Sequence, residues 1–434
     1  MRYFALWLGA GLWLSAATVQ AAAPRAAAPP DNRPLTLETA LAEALAANPA
    51  LAEARARAAA AAEIPPQAGS LPDPRLTIGY LNVPADTYRL DQEPMTQQSV
   101  GLAQEFPTFG KRGLRRAAAE HEAAAAAHMA EETRLRIARE VAVAWWGLVY
   151  LDRALAIVAR NLALLDELVD IAEAKYRVGR GLQQDVLLAQ LERSRLIEMR
   201  LGLEGRRRAQ EADLNRLLGR PVAQPIVLPA AVGEALPPLE PEEAVQARAL
   251  AQRPLLAARL AEIEAARARY ALARRDYAPN VTVSAAYGVR EGRNPDGSER
   301  PDFATLQLSL NLPLYAASRQ ARAVDQRAAE IAARERALED TRAQVLAEIA
   351  RAAADYRRAQ AQVELFRRGI LPQAEQTVHA MLAAYQVDKV DFLNLVRARL
   401  THYNAQLQYW QALTEAKQAR AALAAAAGEE PPHE

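Results

Sequence analysis

No cysteine occurs anywhere in the 434 residues. That removes disulfide frameworks, thiolate metal sites and cysteine nucleophiles, and leaves no cysteine to carry a lipid behind a leader. Aromatics make up only 6% of the chain, and its 19 glycines form no Gly-rich phosphate loop. An excess of one charge is also missing, since 53 basic and 52 acidic side chains give a net charge of +1. A nucleic-acid protein would carry a basic face or tail; none stands out, so no nucleic-acid partner is expected. His121, His128, His379 and His402 are scattered without the paired spacing of zinc motifs. Met95 falls in a loop, and Met129, Met199 and Met381 in helical stretches where packing is the default role. No catalytic triad or pocketed carboxylate pair emerges. The expectation is therefore a protein that is not an enzyme and holds no cofactor or resident metal.

Long hydrophobic runs are scarce as well. Leu6 to Ala17, behind Arg2 and ahead of Val19-Gln20-Ala21, reads as an export signal over 1–21. The run is short for a membrane anchor. Residues 22–34, rich in alanine and proline, read as a flexible mature N-terminus. No later segment holds the roughly 18 uninterrupted apolar residues of a transmembrane helix. An exported chain of this kind is either periplasmic or crosses a membrane by other means.

What the chain does have is an internal duplication. Asp73-Pro74-Arg75-Leu76-Thr77-Ile78 returns as Ala278-Pro279-Asn280-Val281-Thr282-Val283. Pro74 to Pro279 is 205 residues, Pro107 to Pro313 is 206, and Tyr176 to Tyr385 is 209. Copies of about 200 residues are too long for solenoid units, so one continuous architecture is expected. The first copy spans 35–219, with a helix, strands near 75–83 and 97–106, a long helix over 110–178 and a helix over 185–218. A Pro-rich connector over 220–240 joins it to the second copy at 241–428. That copy repeats the order, with strands near 280–290 and 303–313, a long helix over 315–385 and a helix over 391–427. A short acidic tail, 429–434, is expected to be disordered.

The helical signal is a heptad stripe. Leu148, Leu151, Leu155, Val158, Leu162, Leu165, Val169, Ala172 and Tyr176 alternate spacings of three and four, the seam of a left-handed coiled coil. Val324, Ile331, Leu338, Val345 and Ala352 repeat it at sevens, and Tyr356, Val363, Phe366 and Ile370 extend it to a break at Pro372. A helix of about 65 residues is roughly 100 Å long. The other helices are about half that length, so the economical packing lays one long helix beside two short ones stacked end to end. Pro49 and Pro254 hold matching places in the first helix of each copy and predict kinks there. Trp145 and Trp146 lie far from the strands and read as helix-packing residues.

Four stretches change period from 3.6 to 2. Leu306, Leu308, Leu310 and Leu312 alternate with polar residues, as do Val281, Val283, Ala285, Tyr287 and Val289. Leu76, Ile78 and Tyr80, and Val100, Leu102 and Phe106, do so less cleanly. A soluble half-buried sheet shows the same alternation. It would need an apolar layer over its greasy face, and these helices direct their stripes at one another. Strands of about 10 residues also suit a tilted bilayer crossing. Four strands cannot enclose a lumen, but three copies would supply 12. The expected fold class is mainly α with transmembrane β. It combines long antiparallel coiled-coil helices with two β-hairpins per chain, closed as a homotrimer into a 12-stranded barrel over a helical tunnel.

On these residues the chain resembles the TolC family of outer-membrane channels, from about Leu35 to Gly428. It is most similar to the heavy-metal branch, the CzcC and CusC type. That likeness rests on Leu71-Pro72-Asp73-Pro74, Asn82-Val83-Pro84, Gln92-Glu93-Pro94-Met95-Thr96, Gly101-Leu102-Ala103-Gln104-Glu105-Phe106-Pro107 and Gly110-Lys111-Arg112. The resemblance implies a trimer in outer-membrane lipid that extends into the periplasm. It also implies a periplasmic adaptor and an inner-membrane RND transporter as partners, which together would form a three-part efflux pump. Tyr385, Asp388, Lys389, Asp391 and Asn394 fall where the family constricts its periplasmic entrance. Asn394 stands where a second aspartate often lies, and Lys389 matches the family's basic partner only loosely. The first turn, Val178, Gly179, Arg180, Gln184 and Asp185, falls where the adaptor would dock. Gly179 suits a left-handed helix stop.

Threefold symmetry would turn Asp391 into a ring of charges. At about 6 Å and an effective dielectric of ~20, each pair would repel by roughly 3 kcal/mol. Asp185 and Asp391 each open a helix as well, where a carboxylate can simply cap backbone amides. Three functions follow: a passive conduit for metal cations, a similar duct for organic solutes or secreted polypeptide, and a periplasmic coiled-coil adaptor without a pore. The adaptor would normally add a Gly-rich lipoyl-like module, which this chain does not show.

Overall fold

The computed structural model describes residues 33–387 and 389–432. The expected export signal, the mature N-terminus up to residue 32, and Asp388 lie outside the described residues. The first copy contains α1 (Leu37–Ala47), α2 (Pro49–Ala62), α3 (Ile64–Gly69), β1 (Arg75–Leu81), β2 (Gln97–Phe106), α4 (Lys111–Arg177) and α5 (Gln183–Leu218). The second contains α6 (Glu242–Gln252), α7 (Pro254–Arg275), β3 (Val281–Val289), β4 (Phe303–Leu310) and α8 (Gln320–Leu365). It continues through a π-helical turn (Phe366–Ile370) into α9 (Leu371–Gln386) and α10 (Phe392–Ala427).

The heptad stripe is the seam of the bundle. On α4, Leu148, Leu151, Val158, Leu162, Leu165 and Ala172 are buried, while Tyr176 is exposed at the tip. At 67 residues α4 spans roughly 100 Å. One stretch of it is long and apolar enough by composition to cross a membrane, but 61% of that stretch is buried in the bundle, so it is a core segment. α2 and α5 run along α4, and α7 and α10 run between α4 and α8. Two long helices thus alternate with two stacked pairs of shorter ones, forming a wall. Trp145 and Trp146 pack edge to face within it at 5.0 Å, and Trp145 Nε1 donates to Leu35 O at 2.9 Å.

The two prolines do more than kink their helices. Each opens a new helix at its first turn, where its missing N–H costs nothing. Asn48 caps α2 by accepting from Ala50 N and Leu51 N, and it donates to Leu217 O at 2.7 Å. At the matching place Arg253 ends α6 and ion-pairs with Glu132 and Glu348, at 2.9 and 2.7 Å. Opposite each break a helix stops on a left-handed glycine, Gly219 (φ 73°) after α5 and Gly428 (φ 86°) after α10. In both, the next N–H bonds five residues back, Arg220 to Asn215 O and Glu429 to Ala424 O, each at 2.9 Å. A Cβ on Gly219 would stand 2.8 Å from Ala47 O, so only glycine lets α5 abut α1. The duplication has stacked the half-length helices end to end with the same device twice.

Several boundaries differ from the sequence reading. The second long helix, expected over 315–385, begins at Gln320 after a run of turns. Within the expected span it runs on past Pro372, where the sequence marks a break in the stripe. The proline cannot donate to residue 368 and its ring crowds that carbonyl, so the chain widens into the π-helical turn and continues. β4 ends at Leu310, short of Pro313, and β1 ends at Leu81, where Asn82 takes a positive φ of 57°. The tail does not start out disordered: Glu429 pairs with Arg248 at 2.7 Å, Glu430 pairs with Arg134, and Pro431 is buried. The Pro-rich connector is a strap. Val227 O accepts from Leu35 N, Ala230 O from Arg153, Leu236 O from Gln360 and Pro237 O from Tyr356, while Glu234 accepts from Tyr409. With α1 and α6 it forms a belt on one face of the wall.

The strands form one antiparallel sheet in the order β1-β2-β3-β4. β2 and β3 join the copies, with Phe106 opposite Val281 and Val100 opposite Tyr287. β1 and β4 each keep one free edge.

Candidate channel surfaces

Because opposed residues of an antiparallel sheet share a face, the register sorts the side chains. One face carries the row Leu76, Leu102, Ala285 and Leu306, then Ile78, Val100, Tyr287 and Ala304. The other carries Thr77, Gly101, Ala286 and Thr305, then Gly79, Ser99 and Gly288, with Phe303 its one large side chain in these two rows. Among the described residues no helix covers the apolar face: Leu306 is 79% exposed and Ile78 72%. A soluble sheet would hide these side chains. An uncovered greasy face beside a polar face of small residues is the pattern of a lipid-facing wall around a wet lumen.

The sheet is fastened to the helices at its base. Lys111, only 2% exposed, donates from Nζ to Ala278 O at 2.7 Å and Asn280 Oδ1 at 2.8 Å, and lies 3.5 Å from Asp276. Asn280 in turn donates to Glu105 at 2.8 Å, and Thr108 donates to Pro279 O. Arg112 donates to Gly69 O at 2.9 Å, holding α3. The Gly110-Lys111-Arg112 motif therefore clamps both copies where strands become helix. At the opposite end Arg300 Nη1 donates to Asp91 O, Glu93 O and Glu291 O, each at 3.1 Å. Arg290 donates to Pro94 O and sits 4.0 Å over the Phe303 ring. The loops of the two hairpins are thus one rim.

The far ends of the helices carry the predicted tip residues. α4 ends through Gly179 (φ 72°), whose left-handed turn lets Arg180 N bond Lys175 O at 2.9 Å. Val178, Arg180 and Gln184 are exposed beyond it, and Asp185 is half-buried in the first turn of α5. Asp185 makes no cap hydrogen bond; the cap residue is Leu182. Asp391 does occupy the cap position of α10 with extended backbone, yet its carboxylate also makes no cap hydrogen bond. It stands exposed with Lys389 and Asn394. Tyr385, at the same tip, is 7% exposed, its ring 5.7 Å from Phe392 and 4.1 Å beneath the Lys175 ammonium. It braces the tip of the first copy against that of the second. Sequence reasoning missed Lys175; the clue was a cation in the last turn of a long helix, where the dipole favours it.

Above the tips α4, α5 and α10 enclose a small apolar core. Burial pushes the Tyr403 hydroxyl up to about 12 and holds His402 below the usual histidine value. Arg399, half-buried in the same place, is lowered by burial too. Among the described residues, no group of three His, Asp or Glu side chains could hold a metal ion.

A family model described as outer membrane efflux protein matches residues 40–220 and 245–429, one segment per copy. Protein CyaE of Bordetella pertussis is 29% identical over 303 residues, which is 67% of this chain. The chain spans 61% of that relative's length. Among solved structures, the outer membrane protein VceC of Vibrio cholerae superposes with a TM-score of 0.76 at 22% identity, covering 91% of this chain and 97% of its own. CusC superposes with a TM-score of 0.74 at 16% identity, covering 91% and 92%. At these identities the superpositions speak for the fold.

Proposed function

Because the chain belongs to the outer membrane efflux protein family, we propose that it is a passive outer-membrane duct for a three-part efflux pump. Three copies join β4 of one to β1 of the next, close a 12-stranded barrel in lipid, and continue the helical wall as a tunnel in the periplasm. One observation carries this reading: a four-stranded sheet with an uncovered apolar face and a free edge on each side. The first turn, with Val178, Gly179, Arg180 and Gln184 exposed and Asp185 half-buried beside them, is where a periplasmic adaptor docks. An inner-membrane RND transporter supplies energy. Lys389, Asp391 and Asn394 line the periplasmic mouth, and Tyr385 holds the turn that presents them. A ring of Asp391 carboxylates, unengaged by capping, favours cations.

Heavy-metal cations are the proposed cargo, on the strength of the strand and turn motifs and of that ring. Membrane fractionation with a heat-modifiable trimer on gels tests the duct; a stable monomer in plain buffer would refute it. Deleting the protein and scoring sensitivity to copper, zinc, cobalt and cadmium against dyes and antibiotics tests the cargo. Loss of dye or antibiotic resistance with unchanged metal tolerance would replace it with organic solutes.

A further inference from the structure

A cleft of about 390 Å³ opens between α4, α8 and α10 at the level where α10 ends and α7 begins. Its floor is alanine, including Ala419, Ala422 and Ala426 on α10 and Ala352 on α8. Its rim holds Arg139 of α4 and Arg351 of α8. The neighbouring charges are engaged: Arg253 with Glu132 and Glu348, Arg136 with Glu140, and Asp355 with Arg358. Among the described residues, Arg139 and Arg351 have neither an ion-pair nor a hydrogen-bond partner. Two uncommitted guanidiniums over an apolar floor are an arrangement for an anion with a greasy body.

The direction in which the cleft opens follows from the helix faces. On α10 the belt packs on Leu423 and Ala427 through Val245 and Leu239, and Arg420 and Ala424 line the same side near Pro237. At 100° per residue the cleft alanines are turned roughly 140° from that set. On α4, Ile137, Val141 and Trp145 pack under α1, and Arg139 and Glu132 lie on the other side. In a closed trimer a belt must lie outside the wall, so the cleft faces the duct. We propose that it is a binding station for amphipathic organic anions on the duct wall, used alongside any metal cargo. This rests on the duct reading above.

The test uses the full mature protein reconstituted in planar bilayers. The probes are naphthalene-1-sulfonate and, as a cation of similar shape, 1-naphthylmethylammonium, each added on the periplasmic side. The sulfonate should reduce wild-type conductance at concentrations at least tenfold below those the cation needs. Arg139→Gln with Arg351→Gln should raise the half-blocking sulfonate concentration at least tenfold, and the double lysine variant should restore most of it. The chain has no cysteine, so R351C adds an independent readout. A negatively charged methanethiosulfonate applied to the open channel should alter its conductance, and sulfonate should protect against it. Equal block by the two probes, an unchanged half-blocking concentration in the glutamine variant, or an R351C that the reagent does not reach would each overturn the station while leaving the duct intact. Wild type that opens no channel at all would overturn the duct and the station with it.

Discussion

Leu306 offers the sharpest test of which face meets lipid. It lies near the middle of β4, opposite Ala285, in the row that continues through Leu102 to Leu76. Its neighbour Thr305 points to the other face, opposite Ala286. An arginine at the midplane of a barrel's lipid face costs about 2–4 kcal/mol, while lumen substitutions are tolerated. Three copies carry the change in a trimer, so Leu306→Arg should destabilise the assembled barrel by about 6–12 kcal/mol. Thr305→Arg places the same charge one residue away, in water, and should leave assembly near wild type. The measurements are the yield of heat-modifiable trimer in outer-membrane fractions and the urea midpoint after refolding into lipid vesicles. Should L306R assemble and unfold like wild type, or T305R fail as badly, the assignment of faces would be wrong.

Three further outcomes are expected. Asp391→Ala should enlarge single-channel conductance or weaken cation preference in planar bilayers; an unchanged record would retire Asp391 from the mouth. Lys111→Ala strands Ala278 O and Asn280 Oδ1 in a buried place and should cost about 1–3 kcal/mol. That loss should appear as a lower urea midpoint together with protease cleavage near the sheet base. His402 is held below its ordinary value by burial first, with Arg399 and His379 adding and Glu375 opposing. Its folded pKa is therefore the lower one, and its contribution to stability is complete above the unfolded value of about 6.5 and fades as pH falls. His402→Gln should flatten the fall in melting temperature between about pH 7 and 5; an identical pH profile would show that another group titrates there.

Much of the architecture was legible because it depends on local periodicity. The heptad stripe from Leu148 to Ala172 marked α4, and the alternation from Leu306 to Leu310 marked β4, since each pattern requires one face of one element to be greasy. What stayed hidden depended on partners distant in sequence. Pro372 marked a break in the stripe within the long helix; the widening of the chain there into a π-helical turn, with Val363 and Phe366 packed beside Tyr409 and Leu413 of α10, belongs to the fold. Asp391 looked like a helix cap, and its backbone does sit in that position, but side-chain geometry leaves the carboxylate free. The contact of Lys175 with the Tyr385 ring, across 210 residues, was likewise not legible along the chain.

The amino-acid order alone determined the duplication, the succession of helices and strands, and the greasy and polar faces of each, because those follow from spacing along a single element. Tertiary structure decided which faces meet and which remain bare. Only the fold shows that no helix among the described residues lies over Leu76, Ile78 and Leu306, that the connector belts one face of the wall, and that Arg139 and Arg351 share a cleft. Those are facts about what is absent or present across hundreds of residues, and burial and charge pairing are settled by neighbours in space.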